Sequence, residues 1–126
     1  MRDRYLSIMD YFGYRNQMRK LNEECYELIE AIDNLEDYYA FGEPGHRDEI
    51  SASTETIFRD AVVEEMGDLL NVCTQFILRY GITQDELDLT MDFKLERTEK
   101  EIAEGYYEKK KQKRSKTDGP LGNENC

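Results

Sequence analysis

Apolar positions recur along this chain at helical spacing, and their breaks divide it into one short and three long helices. Residues 4–12 (Arg-Tyr-Leu-Ser-Ile-Met-Asp-Tyr-Phe) read as a lead-in helix that Gly13 ends. From about Tyr14 to Tyr39, Leu21, Cys25, Leu28, Ile32 and Leu35 recur at steps of four, three, four and three. That spacing draws a single apolar stripe on a helix. Gly42, Pro44 and Gly45 then interrupt it, and Ser51, Ser53 and Thr54 offer capping side chains. Residues 41–56 therefore read as a loop longer than most helix connections. A second long helix is predicted from Ile57 to Gly81. Val62, Met66, Leu69, Cys73, Phe76 and Tyr80 share one face of it, with Leu70 and Ile77 beside them. Gly81 suits its C-terminal cap. Thr83 followed by Glu86 is a capping box, with Ile82 and Leu87 as its hydrophobic staple. The third long helix runs from Gln84 to about Lys110. The fold class is all-α, a helical bundle.

Composition narrows the picture. At 126 residues and 39% hydrophobic content, the chain supports one domain with a modest core. The formal net charge is −11, unevenly spread. Residues 1–108 carry 11 Lys/Arg against 26 Asp/Glu, a net −15, whereas 109–126 carry 6 against 2, a net +4. Residues 1–108 are read as the helical domain and 109–126 as a basic, polar tail expected to be disordered. An acidic body repels nucleic-acid backbones, so nucleic acid is not an expected partner. Cys25, Cys73 and Cys126 fit no disulfide framework or zinc spacing. Cys25 and Cys73 are expected on apolar helix faces, as small buried hydrophobes. No signal peptide or membrane-length apolar run is present, so a cytoplasmic setting without membrane association is the expectation.

The candidate chemistry lies in two acidic pairs, Glu24-Cys25-Tyr26-Glu27 and Glu65-Met66-Gly67-Asp68. Residues three apart on a helix are neighbours on one side. If the two helices face each other, four carboxylates converge. Two like charges about 6 Å apart at an effective dielectric near 20 repel by about 3 kcal/mol. Either some carboxyls stay protonated, or a hard divalent cation holds them. Helical phase, at about 100° per residue, decides which acids point inward. With Leu21 and Ile32 as the centre of the first apolar face, Glu24 lies about 60° off and Glu27 about 120° off on the same side, while Glu23 points outward. With Leu69 as the centre of the next face, Glu65 falls about 40° off, Asp68 near 100° and Glu64 near 140°. An ionised Glu65 inside an apolar arc needs a partner. Lys20 can neutralise part of the first pair by an i,i+4 contact. Ligands made only of Asp and Glu oxygens favour Mg²⁺, with Mn²⁺ as the alternative, over Zn or Fe. The chain's one histidine, His46, stands in the expected loop.

These motifs resemble those of the MazG-type all-α NTP pyrophosphohydrolases. Leu21-Asn22-Glu23-Glu24-Cys25-Tyr26-Glu27-Leu28, followed by Ala31-Ile32, is similar to the family's first motif, and Glu64-Glu65-Met66-Gly67-Asp68-Leu69-Leu70 to its second. Phe12-Gly13-Tyr14-Arg15-Asn16-Gln17 and Lys94-Leu95-Glu96-Arg97 are similar to flanking segments, so the likeness covers roughly residues 10–107. The resemblance implies that Glu24, Glu27, Glu65 and Asp68 bind Mg²⁺. It also implies cleavage of a nucleoside triphosphate between the α and β phosphates, giving a monophosphate and pyrophosphate. Lys94 and Arg97 would then offset triphosphate charge, with Gln17 and Lys20 as further substrate contacts. No catalytic base is readable. The Glu27-to-Glu65 interval is long for the family, and the tryptophan of its better-known members is absent. Similar frameworks serve dUTP, dCTP and phosphoribosyl-ATP hydrolases, so base preference is not carried over.

The resemblance further implies a homodimer or homotetramer, as does a strongly apolar helix left with surface to bury. Tyr38, Tyr39, Tyr106 and Tyr107 are placed either at that contact or at the solvent edge. Two rival functions stand beside the hydrolase: a catalytically silent helical adaptor that keeps the fold, and a carboxylate-bridged redox metal protein, which the absent histidines disfavour.

Overall fold

Two seams of residues, each spaced alternately by four and three, hold the first helices together. The structure, a computed structural model, describes residues 2–41, 49–106 and 108. Among these the chain forms four helices: α1 (Arg2–Phe12), α2 (Tyr14–Phe41), α3 (Glu49–Arg79) and α4 (Gln84–Ala103). The fold is all-α, as the periodicity predicts. On α2 the shielded positions are Gln17, Leu21, Glu24, Leu28, Ala31, Leu35 and Tyr38. On α3 a matching seam passes through Phe58, Val62, Glu65, Leu69, Val72 and Phe76. A mean step of 3.5 is the spacing that keeps two helices in continuous side-by-side contact. The start of α2 meets the end of α3, because the Gln17 amide donates to the Gln75 carbonyl at 2.8 Å and the Arg79 guanidinium sits 5.2 Å from the Tyr14 ring. At the opposite end, the Tyr38 and Phe58 rings lie 5.9 Å apart. The pair is therefore antiparallel, and α1 packs against both of its members.

The seams depart from the apolar stripes in one consistent way. Cys25 and Ile32 face solvent, and so do Met66 and Tyr80, although each was expected on a core face. The buried line instead runs through Glu24, Leu28 and Ala31. Hydrophobicity alone misplaces the centre because Gln17, Glu24 and Glu65 occupy seam positions. Among the described residues, only Met9, Leu28, Ala31 and Val72 are apolar and buried. Tyr38, placed in sequence at a contact or a solvent edge, is half-buried against Phe58.

Backbone chemistry explains where the helices stop. The Gly13 N–H bonds the Met9 carbonyl at 2.8 Å, closing α1, and its own carbonyl accepts from Gln17 N–H at 3.1 Å, opening α2. At the end of α3, Gly81 has φ 66°, and bonds from Ile82 N–H to the Ile77 carbonyl and from Gly81 N–H to the Leu78 carbonyl satisfy the last turn. A side chain at that φ would be strained, which is why glycine ends the helix. The predicted capping box is present: Thr83 Oγ1 accepts from Glu86 N–H at 3.1 Å, and Glu86 Oε2 accepts from Thr83 N–H at 2.8 Å.

Two boundaries move. α3 begins at Glu49 rather than Ile57, so Ser51, Ser53 and Thr54 lie within the helix instead of capping it. Residues 49–56 contain no glycine or proline, and Ser or Thr costs a helix at most about 0.7 kcal/mol each relative to Ala. α4 ends at Ala103 rather than near Lys110, because Gly105, at φ 76°, bonds back to the Ile102 carbonyl. Residues 42–48, with the loop glycines, Pro44 and His46, lie outside the described residues, as do Tyr107 and the tail 109–126. The chain divides into two compact units, Met1–Ile82 with α1 to α3 and Thr83–Cys126 with α4. No helix among the described residues is long and apolar enough to cross a membrane.

Candidate metal centre

The antiparallel seams bring Glu24 and Glu27, one helical turn apart on α2, against Glu65 and Asp68 of α3, with Glu65 sharing a hydrogen bond with Glu27. One carboxylate oxygen from each of the four lies within 4.8 Å of the others. Glu24 is only 2% exposed, Glu65 is half-buried, and Glu27 and Asp68 are exposed. The group thus has a shielded floor and an open rim. Glu23 and Glu64, read as outward-facing, are both exposed.

Shielded carboxylates need partners, and here the pairing is incomplete. Lys20 Nζ lies 2.9 Å from Glu24 Oε1, the i,i+4 contact expected from sequence. The other Glu24 oxygen, Oε2, is buried with no hydrogen-bond donor, and so is Glu65 Oε2. Loss of hydration, then a hydrogen bond shared with Glu27, then the nearby charges of Glu27, Asp68 and Glu24 push the Glu65 carboxyl above the usual glutamate range. The Lys20 ammonium is held above its ordinary value, first by its hydrogen bond to Glu24 and then by that carboxylate's charge. Without a cation, the crowding and lost hydration favour a proton on Glu65. A hard divalent cation relieves the crowding as well, because four converging carboxylates, two of them with an unpartnered buried oxygen, suit Mg²⁺-like ions, and the group includes no nitrogen or sulfur ligand. The residues present fit such an ion.

The remaining predicted residues are distributed unevenly. Lys20 is half-exposed and lines a shallow cleft with Asn16, Gln17, Arg19 and Glu23. Gln17 is 5% exposed, its side-chain amide bonded to Gln75. Lys94 and Arg97 are exposed and three apart on α4, on one side of that helix, within the second unit. Gln75, 4% exposed, escapes a reading of the sequence that centres α3 on Leu69. Centring the face on Val72 would have placed it inward.

The sequence model of the MazG nucleotide pyrophosphohydrolase domain family matches residues 12–116. No curated protein and no solved structure matches the chain at a significant level. The family match spans both acidic pairs and most of the chain. The chain belongs to the MazG nucleotide pyrophosphohydrolase domain family.

Proposed function

We propose, with membership of this family as the premise, that the protein is a Mg²⁺-dependent nucleoside triphosphate pyrophosphohydrolase. The reaction would add water across the bond between the α and β phosphates of a (d)NTP, releasing (d)NMP and pyrophosphate, with clearance of unwanted nucleotides as its cellular use. The observation that carries the reading is the meeting of four carboxylates from two helices within 4.8 Å, two of them with a buried and unpartnered oxygen.

Glu24, Glu27, Glu65 and Asp68 would hold the ion, with Mn²⁺ as a substitute. Once bound, magnesium supplies polarisation of phosphate oxygens and a lowered pKa for water in contact with it. The protein's own groups supply the rest. Lys20 holds one Glu24 oxygen in place through its ion pair. Glu65, partly dried by its neighbours and holding its proton more tightly than an ordinary glutamate, would be a ligand whose carboxylate form the cation favours. Exposed Glu27 and Asp68 leave the rim open to a polar ligand. Lys94 and Arg97 would offset negative charge on the triphosphate, as fixed cations do in phosphoryl-group chemistry. We assign Gln17 to the interhelix contact, because it is buried. A homodimer or homotetramer is part of the proposal: Tyr26 and Ile29 on α2, with Val63 and Leu70 on α3, are exposed apolar side chains that a second copy would cover.

A panel of standard and modified (d)NTPs, assayed with and without Mg²⁺ and resolved for pyrophosphate and orthophosphate, tests the reading. Mg²⁺-dependent pyrophosphate with an equal amount of monophosphate is expected from at least one nucleotide. Orthophosphate alone would contradict the bond assignment. No turnover by a folded protein would favour the silent adaptor.

A further inference from the structure

Three polar side chains are buried among the described residues: Glu24, Gln17 and Gln75. The first belongs to the acidic quartet. The other two hydrogen-bond each other, Gln17 Nε2 donating to Gln75 Oε1 across 58 residues of chain at 2.8 Å. Most of the seam around them is apolar: Leu21, Leu28 and Ala31 on α2, and Val62, Leu69 and Val72 on α3. Apolar contact has no direction, and seams of repeating spacing present similar surfaces after a slide of one turn or one heptad. Such a slide displaces one helix along the other by about 5 to 10 Å. The quartet could not survive it, since its oxygens meet within 4.8 Å. A hydrogen bond between two buried amides exists in one register alone, and a polar residue at a seam position is a known means of fixing register at some cost in stability.

We infer that Gln17 and Gln75 are positioning residues, an amide clasp that fixes the register of α2 against α3 and so brings Glu24 and Glu27 opposite Glu65 and Asp68. The inference rests on the reading of the quartet as a cation site for its consequence, but not for the register itself. Replacing both glutamines by leucine removes donor and acceptor together, which leaves no orphaned amide and is close to neutral for stability.

The test uses the full chain with its three cysteines replaced by serine and spin labels at the exposed positions Glu30 and Asn71, each changed to cysteine, mixed with a large excess of unlabelled protein so that each distance is read within one chain. Distances between the labels are measured for the parent and for Gln17→Leu/Gln75→Leu, and Mn²⁺ binding is measured on the unlabelled pair. The double variant should unfold at the parent's temperature or above. It should also show a second label distance shifted by about 5 Å or more and bind Mn²⁺ about 10- to 100-fold more weakly, as loss of outer supports of a metal site does. A single parental distance overturns the inference. So does a displaced distance with unchanged Mn²⁺ affinity. A parent that binds no Mn²⁺ would defeat the cation reading, and the label distances would then decide the clasp on their own.

Discussion

At the scale of single residues, position on the seam separates acids that look alike in sequence. Glu23 and Glu24 are neighbours, yet one is exposed and the other 2% exposed. Glu65→Gln should abolish pyrophosphate release and sharply weaken Mn²⁺ binding with the helical circular-dichroism spectrum unchanged. Glu23→Gln should leave both close to parental. Equal losses from the two changes would refute the inward and outward assignment. The raised Glu65 carboxyl also has a signed consequence for stability. In the metal-free protein the folded state holds this proton more tightly than the unfolded chain does. Its contribution to stability is therefore fully present below the ordinary value of 4.5 and is lost as pH rises through the raised folded value. Urea unfolding in EDTA should show stability falling across that window, and the fall should be smaller in Glu65→Gln. Cation affinity should rise over the same window, with a proton released on binding.

At the scale of elements, glycines with different backbones make opposite predictions. Gly67 sits within α3, where an added Cβ meets nothing within 4 Å. Gly67→Ala should stabilise the protein by about 1 kcal/mol in urea unfolding through helix propensity. Gly81 ends α3 at φ 66°, also with open space around an added Cβ, so Gly81→Ala should cost about 1 kcal/mol from backbone strain alone. A stabilised Gly81→Ala would show that the cap bends freely. The helices and the capping box were legible from sequence because periodicity and the Thr83-to-Glu86 spacing act locally. The start of α3 was not, because Ser51, Ser53 and Thr54 cap a helix only where the backbone leaves it. The end of α4 was marked by Gly105, a signal outweighed by the continuing charged pattern.

At the scale of the whole molecule, four buried apolar side chains among the described residues make a thin core. Light scattering on the purified protein should give a mass at least twice the 14.9 kDa of one chain. Leu70→Glu should shift it toward the monomer. A parental monomer with a cooperative unfolding transition would contradict the proposed self-association. The acidic quartet itself was legible in outline, since the i,i+3 pairs and their phase pointed to one cluster. The depth of Glu24 and the Gln17–Gln75 clasp were hidden, because polar residues on a seam look like surface until two helices are set in register. The most direct test of the account is a titration of metal-stripped protein with Mg²⁺, followed by heat and by competition with Mn²⁺. Saturable binding that is lost in Glu24→Gln/Glu65→Gln while the fold persists is the predicted result. Equal and unsaturable uptake by parent and variant would contradict a cation site built from these carboxylates.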